Sequence, residues 1–193
     1  ITVNAVNDAP KVSLNETLVA INEDIATVDN LGQTIASLIT DGSITDVDGN
    51  VVEAIAITSV NNSYGTWQYK LASGSWANIS NTTGANINLN TSALLLNSDS
   101  LVRFIPNANF NGTSTFEYRA WDKSTGIVGG TTNPFILGGN TSVSSEIKTA
   151  TITVNAVNDA PTTLAKTITI DEDIAFVFTS KDFEFSDVEA ADV

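Results

Sequence analysis

The decapeptide ITVNAVNDAP occurs twice in this chain, as residues 1–10 and again, letter for letter, as residues 152–161. The copies are 151 residues apart. That period is too long for one turn of a solenoid and fits one globular domain. The chain therefore reads as one period of a tandem array. Residues 1–10 are expected to be the last strand and linker of a preceding repeat, 11–161 a complete repeat with its outgoing linker, and 162–193 the start of the next. Arrays of near-identical domains supply length and valency, so an extended rod is expected and no enzymatic role.

Charge and composition narrow the classes further. Asp and Glu number 22 against 8 Lys and Arg, giving a net charge of −14, the wrong sign for a nucleic-acid partner. An acidic surface instead draws cations, divalent ones above all. With 42% hydrophobic and only 16% charged residues, the chain is not of disordered composition. Cys, His and Met are absent, which removes disulfides, thiolate metal sites and the commonest general base. No apolar run approaches the roughly 20 residues of a membrane-spanning helix, so membrane insertion is not expected.

Most segments read as strand and turn. Residues 151–157 alternate polar and apolar positions with the period of a half-buried strand, as do 54–60 and 113–120. In the last of these, Phe116 and Tyr118 share one face and Glu117 and Arg119 the other. Turns are signalled at Asp41-Gly42, Asp48-Gly49, Ser73-Gly74, Asn111-Gly112 and Gly129-Gly130. Only Thr91 to Leu96 passes for a helical turn. Residues 65–79 form an aromatic hairpin in which Trp67, Tyr69 and Trp76 are expected to fill a core rather than a sugar platform. The fold expected is an antiparallel Greek-key β-sandwich. In 162–193, strands are expected at Lys166 to Ile170 and Ile174 to Ser180, too few for an independent core.

The acids gather at strand ends and turns: Asn7-Asp8, Glu23-Asp24, Asp46-Val47-Asp48, and Asp122. Calcium takes six to eight oxygen ligands from such groups, and Asp46 and Asp48 are spaced to present two carboxylates to one ion. Crowded carboxylates without a cation would repel one another.

The order Glu, Asp-x-Asp, Ala-x-Asp and Asn-Asp-x-Pro resembles cadherin-type domains. More closely, GTWQYKLASGSWANI (65–79), LVRFIPNANFNGTSTFEYRAWD (101–122) and ITVNAVNDAP resemble the cadherin-like repeats of giant bacterial surface adhesins of the RTX and VCBS type. The resemblance implies a cadherin-like or immunoglobulin-like sandwich and Ca2+ bound between successive domains. It implies a first joint of Asn7 and Asp8 with Asp46, Asp48 and Asp122. A second joint would use Glu23, Asn158, Asp159, Asp187 and Glu189. Ala5, Ala9, Ala156 and Ala160 stand where that family's linker has further ligands, so one or two ions per joint are expected rather than three.

The function this implies is a calcium-rigidified spacer of a large secreted adhesin or matrix protein at the bacterial surface, with adjacent repeats of the same polypeptide as partners. Two alternatives compete. A glycan- or cell-binding module contacting surface or matrix components predicts an exposed aromatic, with Trp121 the candidate. A filament of identical chains assembled by strand exchange would use the identical strands at both ends.

Overall fold

The computed structural model describes residues 1–49, 53–80, 89, 91–183 and 185–188, and it divides into two compact units, 1–156 and 157–193. In chain order the first unit carries β1 (Lys11–Val12), β2 (Glu16–Thr17), β3 (Ile21–Asn22), β4 (Gln33–Thr34), the one-turn helix α1 (Ile35–Leu38), β5 (Ile44–Thr45) and β6 (Ile55–Val60). It continues through β7 (Gly65–Lys70), β8 (Ala77–Asn78), β9 (Ala93–Leu96), β10 (Leu101–Pro106), β11 (Gly112–Ala120), β12 (Thr131–Thr132) and β13 (Lys148–Asn155). One sheet has the order β12-β9-β6-β11-β13-β2, with β3 also beside β13, and the other has the order β4-β10-β7-β8. The two pack as an all-β sandwich.

Not every pairing is antiparallel as expected. β2 and β3 run parallel to β13, because all three start from the end of the sandwich where residues 7–9 are anchored. Between the sheets lie Ile55, Ile57, Leu94 and Leu96 from one side and Trp67, Val102 and Phe104 from the other. Trp67 packs 5.2 Å from Phe104 and edge-on to Phe116 at 5.0 Å. Its indole N–H donates to Ser114 Oγ at 3.0 Å, which satisfies the ring's one polar atom. The hairpin β7–β8 is thus core structure around Trp67. Trp76, half-buried, carries the Arg103 guanidinium 4.0 Å above its ring. That guanidinium donates to the carbonyls of Thr27 and Asn30 and to Gln68, clamping the 27–30 loop.

Two expectations need correction. Thr91 to Leu96 is not a helical turn: its apolar part is β9, paired with β6 and β12 and buried at all four positions. A strand covered on both faces loses its period-2 signature, which is why ALLL resembled a helix. Trp121 is not exposed either. It is 1% accessible and belongs to a second cluster with Ala54, Ala56, Ala93, Leu95 and Val143. This cluster lies on the outer face of the large sheet under the 122–145 segment. Gly126 is required there, since with φ at +88° a Cβ would stand 2.5 Å from Leu95 Cδ1.

The second unit contains β14 (Thr162–Thr163), paired with β15 (Phe185–Ser186), and a 3₁₀ turn at Ser180–Asp182. The expected strands at 166–170 and 174–180 do not form. No described residue of this unit is buried, and Leu164, Ile174, Phe176 and Phe178 remain exposed. A two-stranded pair such as β14–β15 gives strand-forming residues little apolar surface to pack on.

The burial pattern makes two predictions. Ile152→Ala should destabilise the chain by about 2–5 kcal/mol in denaturant unfolding, whereas Ile1→Ala, the same change in the other copy, should stay within about 0.5 kcal/mol. The second concerns Tyr118, whose hydroxyl donates to the Leu14 carbonyl at 2.9 Å. Burial, with a smaller contribution from nearby Glu16, pushes its pKa well above the usual tyrosine value. A raised folded-state pKa contributes stability that is complete below about pH 10 and is lost as pH rises further. Thermal midpoints of the wild type should therefore fall above pH 10, and Tyr118→Phe should remove that part of the decline.

Candidate metal centre

The residues assigned to the first joint come together in the first unit at the end of the sandwich where β11 finishes. The Asn7 side-chain amide donates to Asp122 Oδ2 at 3.0 Å and to the Thr141 carbonyl at 3.3 Å. The Asp8 amide donates to Asp48 Oδ2 at 2.7 Å, and the Asp48 amide donates to Asp46 Oδ1 at 2.9 Å. The other Asp122 oxygen, Oδ1, accepts from the Ser124 amide at 2.7 Å. The linker is held further by the Ala9 amide on the Gly139 carbonyl at 2.7 Å.

Local sequence explains this placement. Asp46 and Asp48 follow β5 directly, and β5 pairs with β1, the strand that begins just after Pro10. Gly49, at φ +79°, turns the chain at that point. Asp122 follows β11, where its amide bonds the Ser142 carbonyl. The 138–142 loop was not foreseen as part of this cluster. Its signal was the Gly138-Gly139 pair, both at positive φ, which brings the Gly139 and Thr141 carbonyls to the linker.

All donors here are oxygens of the hard type that suit calcium. Among the described residues, however, no group of three or more acidic side chains is close enough to hold a metal ion. Asp122, Asp48 and Asp46 each serve as acceptors for N–H groups. The five residues thus form a hydrogen-bonded junction of linker and three loops, with the ligand type calcium needs but not a converged shell.

Of the second set, Glu23 is buried at the opposite end of the first unit, its amide bonded to the Asn155 carbonyl at 3.0 Å. Asn158 and Asp159 open the second unit, and Asp187 follows β15. Glu189 lies outside the described residues.

The two linkers repeat their local geometry. Asn7 donates to the Asp8 carbonyl at 3.1 Å, and Asn158 donates to the Asp159 carbonyl at 2.9 Å. The first residue after Pro10 pairs with Thr45, just ahead of Asp46-Val47-Asp48. Likewise the first after Pro161 pairs with Ser186, just ahead of Asp187-Val188. A further echo is Glu23-Asp24-Ile25-Ala26 against Glu172-Asp173-Ile174-Ala175, with a turn at the Glu-Asp of each. A small internal repeat of strand, turn and acid is therefore built twice. No family model, curated protein or solved structure matches the chain.

If the junction anchors the linker, Asn7→Ala should cost about 1 kcal/mol for its lost hydrogen bonds. It should also make residues 1–10 more open to limited proteolysis, with the sandwich itself left intact.

Proposed function

We propose that this chain is a non-catalytic, calcium-binding spacer repeat of a large extracellular protein of the bacterial surface, of the cadherin-like adhesin type. One observation carries the reading: the chain arrives and leaves at opposite ends of the sandwich. The incoming linker is fixed beside Asp122, just past the end of β11. The last strand, β13, finishes with Val154 opposite Gly112, at the start of β11. Nine residues of extended chain separate those ends, roughly 27 Å. A domain with this geometry adds its own length whenever it is repeated.

The acids support the cation. Asp8 on the linker, Asp46 and Asp48 on the loop after β5, and Asp122 after β11 lie at the arrival end, and the linker geometry recurs in the second unit. Calcium binding there would draw the carboxylates into one shell and offset their repulsion. The chain's part is to supply oxygens from the linker and from the loops after β5 and β11, so that linker and domain become one stiff body. Among the described residues no helix is long and apolar enough to cross a membrane. The glycan-binding alternative loses its named residue, because Trp121 is core.

Thermal unfolding with calcium and with excess chelator tests this function. A ligand at a hundredfold excess over its Kd stabilises by about 2.7 kcal/mol, which for a chain of this size raises the melting temperature by roughly 5–10 °C. Asp48→Asn and Asp122→Asn should reduce that rise. An unchanged melting temperature would contradict the reading.

A further inference from the structure

The end of the sandwich where β11 begins carries an aromatic platform. Two aromatic residues within 1–156 are exposed, Tyr64 and Phe135, and of these Tyr64 lies flat on another ring. Its ring is parallel to that of Phe110, with 2° between the planes and 4.7 Å between centroids. Phe110 is half-buried and stands edge-on to Phe104 of the core at 6.4 Å. One face of Tyr64 is therefore occupied by Phe110. Tyr64 is nevertheless 52% accessible, so its opposite face looks into solvent.

The backbone beneath the ring is braced. Tyr64 lies in the turn 61–64 between β6 and β7, and Phe110 in the turn 107–111 between β10 and β11. The Asn107 amide joins the two turns by donating to the Tyr64 carbonyl at 2.8 Å. The Asn62 side chain donates to the Ile79 carbonyl at 2.8 Å and accepts from the Trp67 amide at 2.8 Å, which fixes the first turn. Gly65 lets that turn close on β10, because a Cβ there would collide with the Ile105 carbonyl oxygen.

The same turns present four exposed asparagines, Asn61, Asn107, Asn109 and Asn111. Among the described residues, the side chains of the last three make no hydrogen bond, and Asn61 uses only its Oδ1, which accepts from the Ser63 amide at 3.0 Å. A preformed aromatic face is thus accompanied by side-chain amides with donors and acceptors to spare.

We propose that Tyr64 and these asparagines form a binding subsite for a neutral glycan, built of pyranose rings with equatorial hydroxyls as in a β-1,4-linked glucan. Such a sugar has C–H groups on its face and hydroxyls around its rim. The C–H groups suit the negative face of an aromatic ring. Each hydroxyl both donates and accepts, as a side-chain amide does. None of the six side chains is charged, and a chain of net charge −14 repels anionic ligands, so a nucleic acid is disfavoured although its bases also stack. Both turns belong to the sandwich itself and neither to a linker. No carboxylate takes part, so the subsite stands independently of the calcium-binding reading.

A single flat contact of this kind is weak, with a Kd on the order of 1 mM. The test is an NMR titration of the 15N-labelled full chain with cellohexaose to about 10 mM. The expected result is saturable shifts of the side-chain amide signals of Asn107, Asn109 and Asn111. Tyr64→Ala, at an exposed position, should weaken binding about tenfold while moving the melting temperature by no more than about 3 °C. Tyr64→Phe should bind within about threefold of the wild type, because the ring and not the hydroxyl carries the contact. Asn109→Gly tests the amides separately: Gly readily adopts the φ of +57° found there, and the variant should bind several-fold more weakly with its fold intact. No shift at the highest cellohexaose concentration would overturn the proposal. So would binding that Tyr64→Ala and Asn109→Gly both leave unchanged.

Discussion

The ladder between β11 and its two neighbours governs the first unit. β11 pairs with β13 along seven residues and with β6 along five, with a bulge between Glu117 and Tyr118. Its inward residues Ser114, Phe116, Tyr118 and Ala120 are buried in alternation. That one strand fixes how far apart the two ends of the sandwich stand. It carries Phe116 and Tyr118 into the core and delivers Trp121 and Asp122 to the turn beyond. Since β13 runs antiparallel to it, the chain must leave at the end opposite Asp122. The incoming linker, bonded to Asp122, must start there. The linear geometry thus follows from strand direction.

Two layers of packing hold that ladder in place. Between the sheets, Trp67 and Phe104 oppose Phe116 and Ile57. Outside, Trp121, Val143 and Leu95 seal the other face of β6 and β9. The outer layer has a local consequence: Ser144 and Ser142, on the segment that carries Val143, bond the backbone of Ala120 and Asp122. The 137–145 segment is therefore fixed by the outer core, and through Gly139 and Thr141 it fixes the linker in turn. Apolar packing and the acidic junction are mechanically connected.

Much of this was legible in sequence where one face of a strand meets solvent. Residues 113–120 and 151–157 alternate; the first lies wholly in β11, and the second is strand as far as Asn155, where β13 ends. Alternation failed where its physical basis fails. Ala93–Leu96 is covered on both faces and reads as an unbroken apolar run. Trp121, beside a charged residue and a turn, gave no sign that a loop would close over it. β1 to β5 are two residues long, below what periodicity can register, and α1 is a single turn capped by the Thr34 hydroxyl on the Ser37 amide. Residues 166–180 have strand-like composition, but they lie between β14 and β15 and pair with neither. That Asp8, Asp46 and Asp48 lie at strand ends was legible because Pro10 and Gly49 mark the turns there. The loop that cradles the linker was missed because its contribution is backbone carbonyl, signalled only by the Gly138-Gly139 pair.

In the proposed function the repeat adds length and calcium stiffens the addition. Small-angle X-ray scattering on one, two and three tandem copies of the 151-residue period tests it most directly. The account predicts a maximum dimension that grows by a constant step per copy in calcium, and a shorter, more variable step in chelator. Copies that collapse into a compact particle, or a step indifferent to calcium, would contradict it.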